Sequence, residues 1–128
     1  MARQVVLDTS IVIDLLKKVP AAVDRFVALL AADTRFLVSP IVVAEVYAGI
    51  FEREVKDVEA LFDLCERIAL PFDTGRDAGR YAKQYAKAYQ GIALEDYLLA
   101  ATAKASGCPL WTHNRKHFPM KDIELLAD

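Results

Sequence analysis

Cysteine is scarce in this chain. Two occur in 128 residues, Cys65 and Cys108. Both sit in apolar surroundings without metal-ligand spacing, which excludes a disulfide framework and a cysteine-built zinc centre and predicts buried thiols in a reducing, cytoplasmic setting. Long hydrophobic runs are also missing. None approaches the roughly 20 residues needed to span a bilayer, so no membrane partner is expected. Met1-Ala2-Arg3-Gln4 leads straight into a strand-like run, without the pattern of a signal peptide. Glycine is sparse, with five in all, and none forms a phosphate-cradling loop, a Gly-x-Ser-x-Gly elbow or a Gly-x-Gly-x-x-Gly fingerprint. Positive charge is not in excess: 16 Lys and Arg face 18 Asp and Glu, giving a net charge of −2. That argues against holding nucleic acid by bulk electrostatics, but leaves room for an enzyme whose acids converge on one cation-binding cleft. Repeats, low-complexity tracts and linkers are absent. What remains, 55% hydrophobic and 27% charged, is the composition of one globular domain over residues 1–128.

Read in order, short apolar runs alternate with helical patterns. Gln4-Val5-Val6-Leu7 is a continuous apolar run, as in a strand buried on both faces of a parallel sheet. Residues 11–16 are a helix. A second follows Pro20, with Val23, Phe26, Val27 and Leu30 at helical spacing. Phe36-Leu37-Val38 is the second strand. A helix with Val55, Val58, Leu61, Phe62, Cys65 and Ile68 on one side precedes a third strand at 68–72. Asp73 is the expected N-cap of a helix over 74–90, with Gly91 as its stop. Leu94–Ser106 is the next helix, Cys108-Pro109-Leu110-Trp111 a fourth strand and 123–126 a candidate fifth. The alternation predicts an α/β fold: a three-layer α/β/α sandwich around a short, mostly parallel central sheet.

One stretch stands out. Ser39-Pro40 opens a helix, Ser39 as N-cap and Pro40 at the first position. The helix is apolar nearly all round, and its single charge is Glu45. An ionised carboxylate there is costly unless it is paired, hydrogen-bonded or bound to a cation. Ala48 and Gly49, one turn on, leave space beside it. In open parallel sheets ligands bind beyond the carboxyl ends of the strands. Asp8 ends the first strand and Thr112-His113-Asn114 the fourth; Asp96 lies in the first turn of the Ala/Leu-rich helix. Each has an ordinary role as well: Asp8 suits a helix cap, Glu95 and Asp96 suit a helix N-terminus, and Asn114 suits a turn. Convergence makes the case. Three carboxylates and an amide oxygen form an all-oxygen donor set suited to Mg²⁺ or Mn²⁺.

Four collinear motifs resemble those of PIN-domain nucleases: Asp8-Thr9-Ser10 after an apolar strand, Ser39-Pro40 with Ala44-Glu45, Asp96 to Ala103, and Trp111-Thr112-His113-Asn114-Arg115-Lys116-His117-Phe118-Pro119. Compactness and the Thr-x-Asn-x-x-x-Phe ending look most like the VapC-type toxins of toxin–antitoxin systems. The resemblance implies a PIN-like three-layer fold and a Mg²⁺- or Mn²⁺-dependent endoribonuclease that hydrolyses RNA with a metal-activated water. It also implies a homodimer and a small DNA-binding antitoxin as partner. Asp8, Glu45 and Asp96 would hold the metal, with Thr112 as a supporting hydroxyl and Asn114 completing the shell. Asn114 departs from the pattern, since many PIN domains carry Asp there. An amide supplies an oxygen without charge, so a second metal would be held more weakly.

Other features weigh less. Arg115, Lys116 and Lys121, close to the proposed site in sequence, are candidates for RNA phosphate contact. The Arg76, Arg80, Lys83 and Lys87 stripe suits either an RNA backbone or a solvated helix face, and Tyr81, Tyr85 and Tyr89 suit a core or dimer interface before base stacking. His113 and His117 have the spacing of a zinc pair but no third partner. Two rival readings stand beside the nuclease. A PIN-fold binding module with weak or no catalysis is kept alive by Asn114. A receiver-like Mg²⁺-binding signalling domain would need paired acids after the first strand and a Lys after the fifth, and the sequence has neither.

Overall fold

The computed structural model describes residues 3–127. Its centre is β1 (Gln4–Leu7), where Val5, Val6 and Leu7 are completely buried. An apolar strand covered on both faces belongs in the middle of a parallel sheet. The sheet order is β3-β2-β1-β4, and every pairing is parallel. β2 (Arg35–Val38) lies beside β1 with Val5 opposite Phe36. β4 (Leu110–Trp111) flanks the other side with Leu7 opposite Trp111. Val5, Phe36 and Trp111 therefore share one face, and Phe26 of α2 (Pro20–Ala31) stacks on Phe36 with ring centroids 4.4 Å apart.

The connections follow from the order. β1 to β2 to β3 (Glu66–Arg67) steps one way across the sheet, through α1 (Thr9–Leu16), α2, α3 (Pro40–Gly49) and α4 (Val55–Asp63). The path to β4 runs back across it through α5 (Phe72–Tyr85) and α6 (Leu94–Ser106). Right-handed crossovers put these two helix groups on opposite faces, which gives the expected three layers. The reversal of direction places a switch point beside β1, at its carboxyl end.

Several boundaries differ from those expected. The third strand is Glu66–Arg67 rather than 68–72, with Ile68 N–H donating to Val38 O at 3.1 Å. A two-residue edge strand needs no apolar pattern, so hydrophobicity pointed too far along. α5 begins at Phe72 with Pro71 as its N-cap; Asp73 lies in the first turn and pairs with Arg76 at 3.4 Å. It ends at Tyr85, where the bonding loosens (Ala88 N–H reaches Tyr85 O at 3.2 Å) before Gly91 turns the chain at φ +87°. α6 has the expected bounds and stops at Gly107, left-handed at φ +65°. The candidate fifth strand is a single parallel bridge, Leu110 to Leu125. In α2 only Ala22 and Phe26 are buried, and Val27 is 57% exposed. Both cysteines are free and half-buried, and burial pushes the Cys65 thiol up to about 12.

Candidate active site

Asp8 leaves the carboxyl end of β1 and is 5% exposed. Its backbone stays in the ladder, with its N–H donating to Trp111 O at 3.0 Å. Its side chain caps α1, as the ordinary reading expected, by accepting from Thr9 N–H at 2.8 Å on Oδ1. Capping is only part of its role. Oδ2 accepts from Ser10 Oγ at 2.9 Å and from Thr112 Oγ1 at 2.5 Å, across 104 residues of sequence. Hydrogen bonds of this kind offset the cost of burying a carboxylate. Thr112, also 5% exposed, accepts in turn from Asn114 N–H at 2.9 Å. His113 N–H donates to Ser10 Oγ at 3.1 Å, so the two strand ends are laced together.

Glu45 stands otherwise than its sequence suggested. α3 buries only Val42 and Val46, whereas Ala44, Glu45, Tyr47, Ala48 and Gly49 face outward. The helix is apolar all round without being buried all round. Ser39 holds the N-cap position but makes no capping bond, and its hydroxyl is buried without a partner. Glu45 Oε1 accepts from Thr9 Oγ1 at 2.8 Å. Open space does lie beside Gly49, in a hollow of about 270 Å³ whose lining includes Glu45, Lys17 and Phe51.

Asp96 sits at the third position of α6 and accepts from Ala93 N–H at 2.9 Å, half of a capping box. His117 Nδ1 lies 3.2 Å from its Oδ2. Burial raises the pKa of Asp96; the Ala93 N–H and His117 oppose that rise, and the charges on Asp8 and Glu95 add to it. Glu45 is raised for a similar reason: burial first, opposed by the Thr9 hydroxyl, then reinforced by Asp8, Glu95 and Asp96. Four carboxylates therefore share one field, Glu95 among them.

The expected residues are gathered unevenly. Asp8 and Thr112 touch, and Thr9 links Asp8 to Glu45. Asp96 is joined to them through charge alone. No three His, Cys, Asp or Glu side chains among the described residues form a ready-made cage for an ion. Asn114 is exposed and serves through its backbone, N–H to Thr112 and carbonyl to His117 N–H at 2.9 Å. Arg115 is committed elsewhere, donating to Leu126 O at 3.0 Å, while Lys116 and Lys121 are exposed. His113 pairs with Asp14 at 2.7 Å and His117 with Asp96, so the two imidazoles are not a zinc pair. Arg76 and Arg80 are offset by Asp73 and Asp77, which favours a solvated face for that stripe. Tyr81 is core, donating to Asp122 at 2.8 Å. Thr9, Ser10 and His117 lie within the motifs, but nothing in the sequence assigned them a role in holding the acids. The only signal was hydroxyl residues directly after a strand-end Asp, and it names no partner.

Carboxylate oxygens in mutual repulsion, two of them desolvated, are hard donors that gain from a divalent cation; the set fits Mg²⁺ or Mn²⁺ and lacks the soft ligands of zinc. The model of the PIN domain matches residues 5–123. The chain belongs to the PIN-domain family. Ribonuclease VapC19 of Mycobacterium tuberculosis is 36% identical over 114 residues, covering 89% of this chain and 91% of that one. Among solved PIN-fold structures, VapBC-1 from nontypeable Haemophilus influenzae is 26% identical with a TM-score of 0.80, covering 96% of each chain. VapBC2 from Rickettsia felis, bound to a DNA fragment from its promoter, shares the fold at 22% identity and a TM-score of 0.81, covering 96% of this chain and 97% of that one. The matched region takes in all four motifs. No helix among the described residues is long and apolar enough to cross a membrane.

Proposed function

We propose that this PIN domain is a Mg²⁺- or Mn²⁺-dependent endoribonuclease, the toxin of a type II toxin–antitoxin pair. In this reading it works in the cytoplasm as a homodimer and is restrained by a small DNA-binding antitoxin. The observation that carries the chemistry is Asp8: a carboxylate 5% exposed, held by three donors from both ends of the chain, in one field with Glu45 and Asp96. The 36% identity to a ribonuclease supports the substrate class, and the VapBC likenesses support the partner.

Asp8, Glu45 and Asp96 would hold the cation, which when bound lowers the pKa of water and neutralises phosphate charge. The protein's own contribution is orientation. Ser10 and Thr112 fix Asp8 from one side, Thr9 holds Asp8 and Glu45 from another, and Ala93 N–H with His117 fixes Asp96. Asn114 and Lys116 are exposed two and four residues beyond Thr112, which supports a part for them in meeting a backbone phosphate.

Cleavage of RNA with Mg²⁺ or Mn²⁺, against EDTA and against Asp8→Asn, tests this. Both treatments should reduce the rate by about 100-fold or more, the usual scale for removing a central electrostatic group. Activity indifferent to both would sink the metal mechanism. The weak binding module is favoured by one observation, the uncharged and exposed Asn114. It wins if the parent is silent at every Mg²⁺ and Mn²⁺ concentration and Asn114→Asp creates activity.

A further inference from the structure

Among the described residues, Thr9 is the one that hydrogen-bonds two of the proposed cation-binding carboxylates. Its backbone N–H donates to Asp8 Oδ1 at 2.8 Å, and its hydroxyl donates to Glu45 Oε1 at 2.8 Å. The second bond crosses from the start of α1 to the second turn of α3, spanning 36 positions in sequence. Asp8 needs little further help, since Ser10 and Thr112 also hold it. Glu45 does: it stands on the outward face of its helix, and Thr9 is its hydrogen-bond partner among the described residues. Ala48 and Gly49, the neighbours three and four residues on, have nothing to confine a Glu side chain, and the space beside Gly49 is open.

Like charges on Asp8, Glu95 and Asp96 push that carboxylate away from the site. A Glu free to turn would spend its time extended into water. We propose that the Thr9 hydroxyl is a positioning group that keeps Glu45 turned toward Asp8, so that the cation meets a wall already set rather than one it must assemble. The bond occupies Oε1 and leaves Oε2 open to the incoming ion. Preorganisation of this kind acts by removing rotamer freedom before binding rather than by adding a ligand.

The inference rests on the metal site proposed above, and its test separates the two. Mn²⁺ binding to the whole, metal-free protein is measured calorimetrically for the parent and for Thr9→Val, Thr9→Ser, Asp8→Asn, Glu45→Ala and Thr9→Val/Glu45→Ala. Valine matches threonine in shape and lacks the hydroxyl. Thr9→Val should weaken Mn²⁺ about three- to tenfold, the scale of one hydrogen bond or one immobilised side chain. Thr9→Ser should bind like the parent. In the Glu45→Ala background Thr9→Val should have no further effect. A merely structural role at the start of α1 would weaken binding equally in both backgrounds, which overturns the proposal. So does parent-like affinity in Thr9→Val while Asp8→Asn and Glu45→Ala bind weakly; the metal site then stands without Thr9. Parent-like affinity in Asp8→Asn or in Glu45→Ala overturns Thr9's role together with that carboxylate's part in the site.

Discussion

Thr112→Val removes one oxygen from the place where the two ends of the domain meet. The hydroxyl donates to Asp8 Oδ2 at 2.5 Å and accepts from Asn114 N–H at 2.9 Å, and both Asp8 and Thr112 are 5% exposed. A hydrogen bond to a charged group contributes about 1.5–3 kcal/mol, and the penalty lies toward the upper part when the abandoned carboxylate stays buried. Ser10 still holds the same oxygen, which moderates the loss, and the exposed Asn114 N–H finds water. A net loss of about 2 kcal/mol follows. Unfolding entropy of about 2.1 cal/mol/K per residue, over 128 residues, is about 0.27 kcal/mol/K. The midpoint should therefore fall by about 7 °C. Thermal unfolding followed by circular dichroism at pH 7 in EDTA reads this directly. Thr112→Ser keeps the oxygen and should recover more than half of the loss. In an Asp8→Ala background Thr112→Val should cost less than about 0.5 kcal/mol, because its partner is gone. A Thr112→Val midpoint within about 2 °C of the parent, or an undiminished loss in the Asp8→Ala background, would refute the idea that this bond clasps the site.

The raised carboxyls give a pH effect of definite sign. Burial lifts Glu45 and Asp96 above their unfolded values, so their contribution to stability is fully present below the ordinary carboxylate range and is lost as pH rises through the lifted ones. Metal-free Glu45→Gln should accordingly melt slightly above the parent at pH 7, with the difference fading as the pH is lowered into the ordinary carboxylate range. A variant that melts lower at pH 7 contradicts this. The two basic neighbours should part company. Arg115→Ala breaks a bond to Leu126 O and should lower stability by about 1 kcal/mol with KM for RNA unchanged, whereas Lys116→Ala should raise KM severalfold at unchanged stability. Chemical denaturation and steady-state cleavage read the two effects separately.

The sequence carried the layer order because a central strand leaves a local mark. Gln4-Val5-Val6-Leu7 is apolar on both faces since a central parallel strand must be, and Asp8 stands at its carboxyl end, where open parallel sheets bind their ligands. Edges were harder. Glu66–Arg67 is a strand only because Leu37 and Val38 lie beside it, and no pattern in two charged residues announces that. Glu45 was singled out for a partly mistaken reason. Its helix looked buried all round, yet half of it faces outward, and the strain on the carboxylate comes from its acidic neighbours as well as from burial. The hydroxyls of Thr9 and Ser10 and the imidazole of His117 were not legible as site residues. Their partners lie 36, 103 and 21 positions away, and only the folded chain brings them together.

The strand order has a consequence in time. β1 precedes the other three strands in the chain and sits in the middle, while β4, its second neighbour, is made after all of them. As the chain leaves the ribosome, Asp8 emerges early and waits through most of synthesis without Trp111 O to receive its N–H or Thr112 to hold its carboxylate. Asp96 arrives late as well. A nascent chain that stops short of Thr112 lacks the clasp on Asp8, and one that stops short of Asp96 lacks the third carboxylate of the proposed site. With β1 at the centre and β4 beside it, the proposed site cannot close before both have been made.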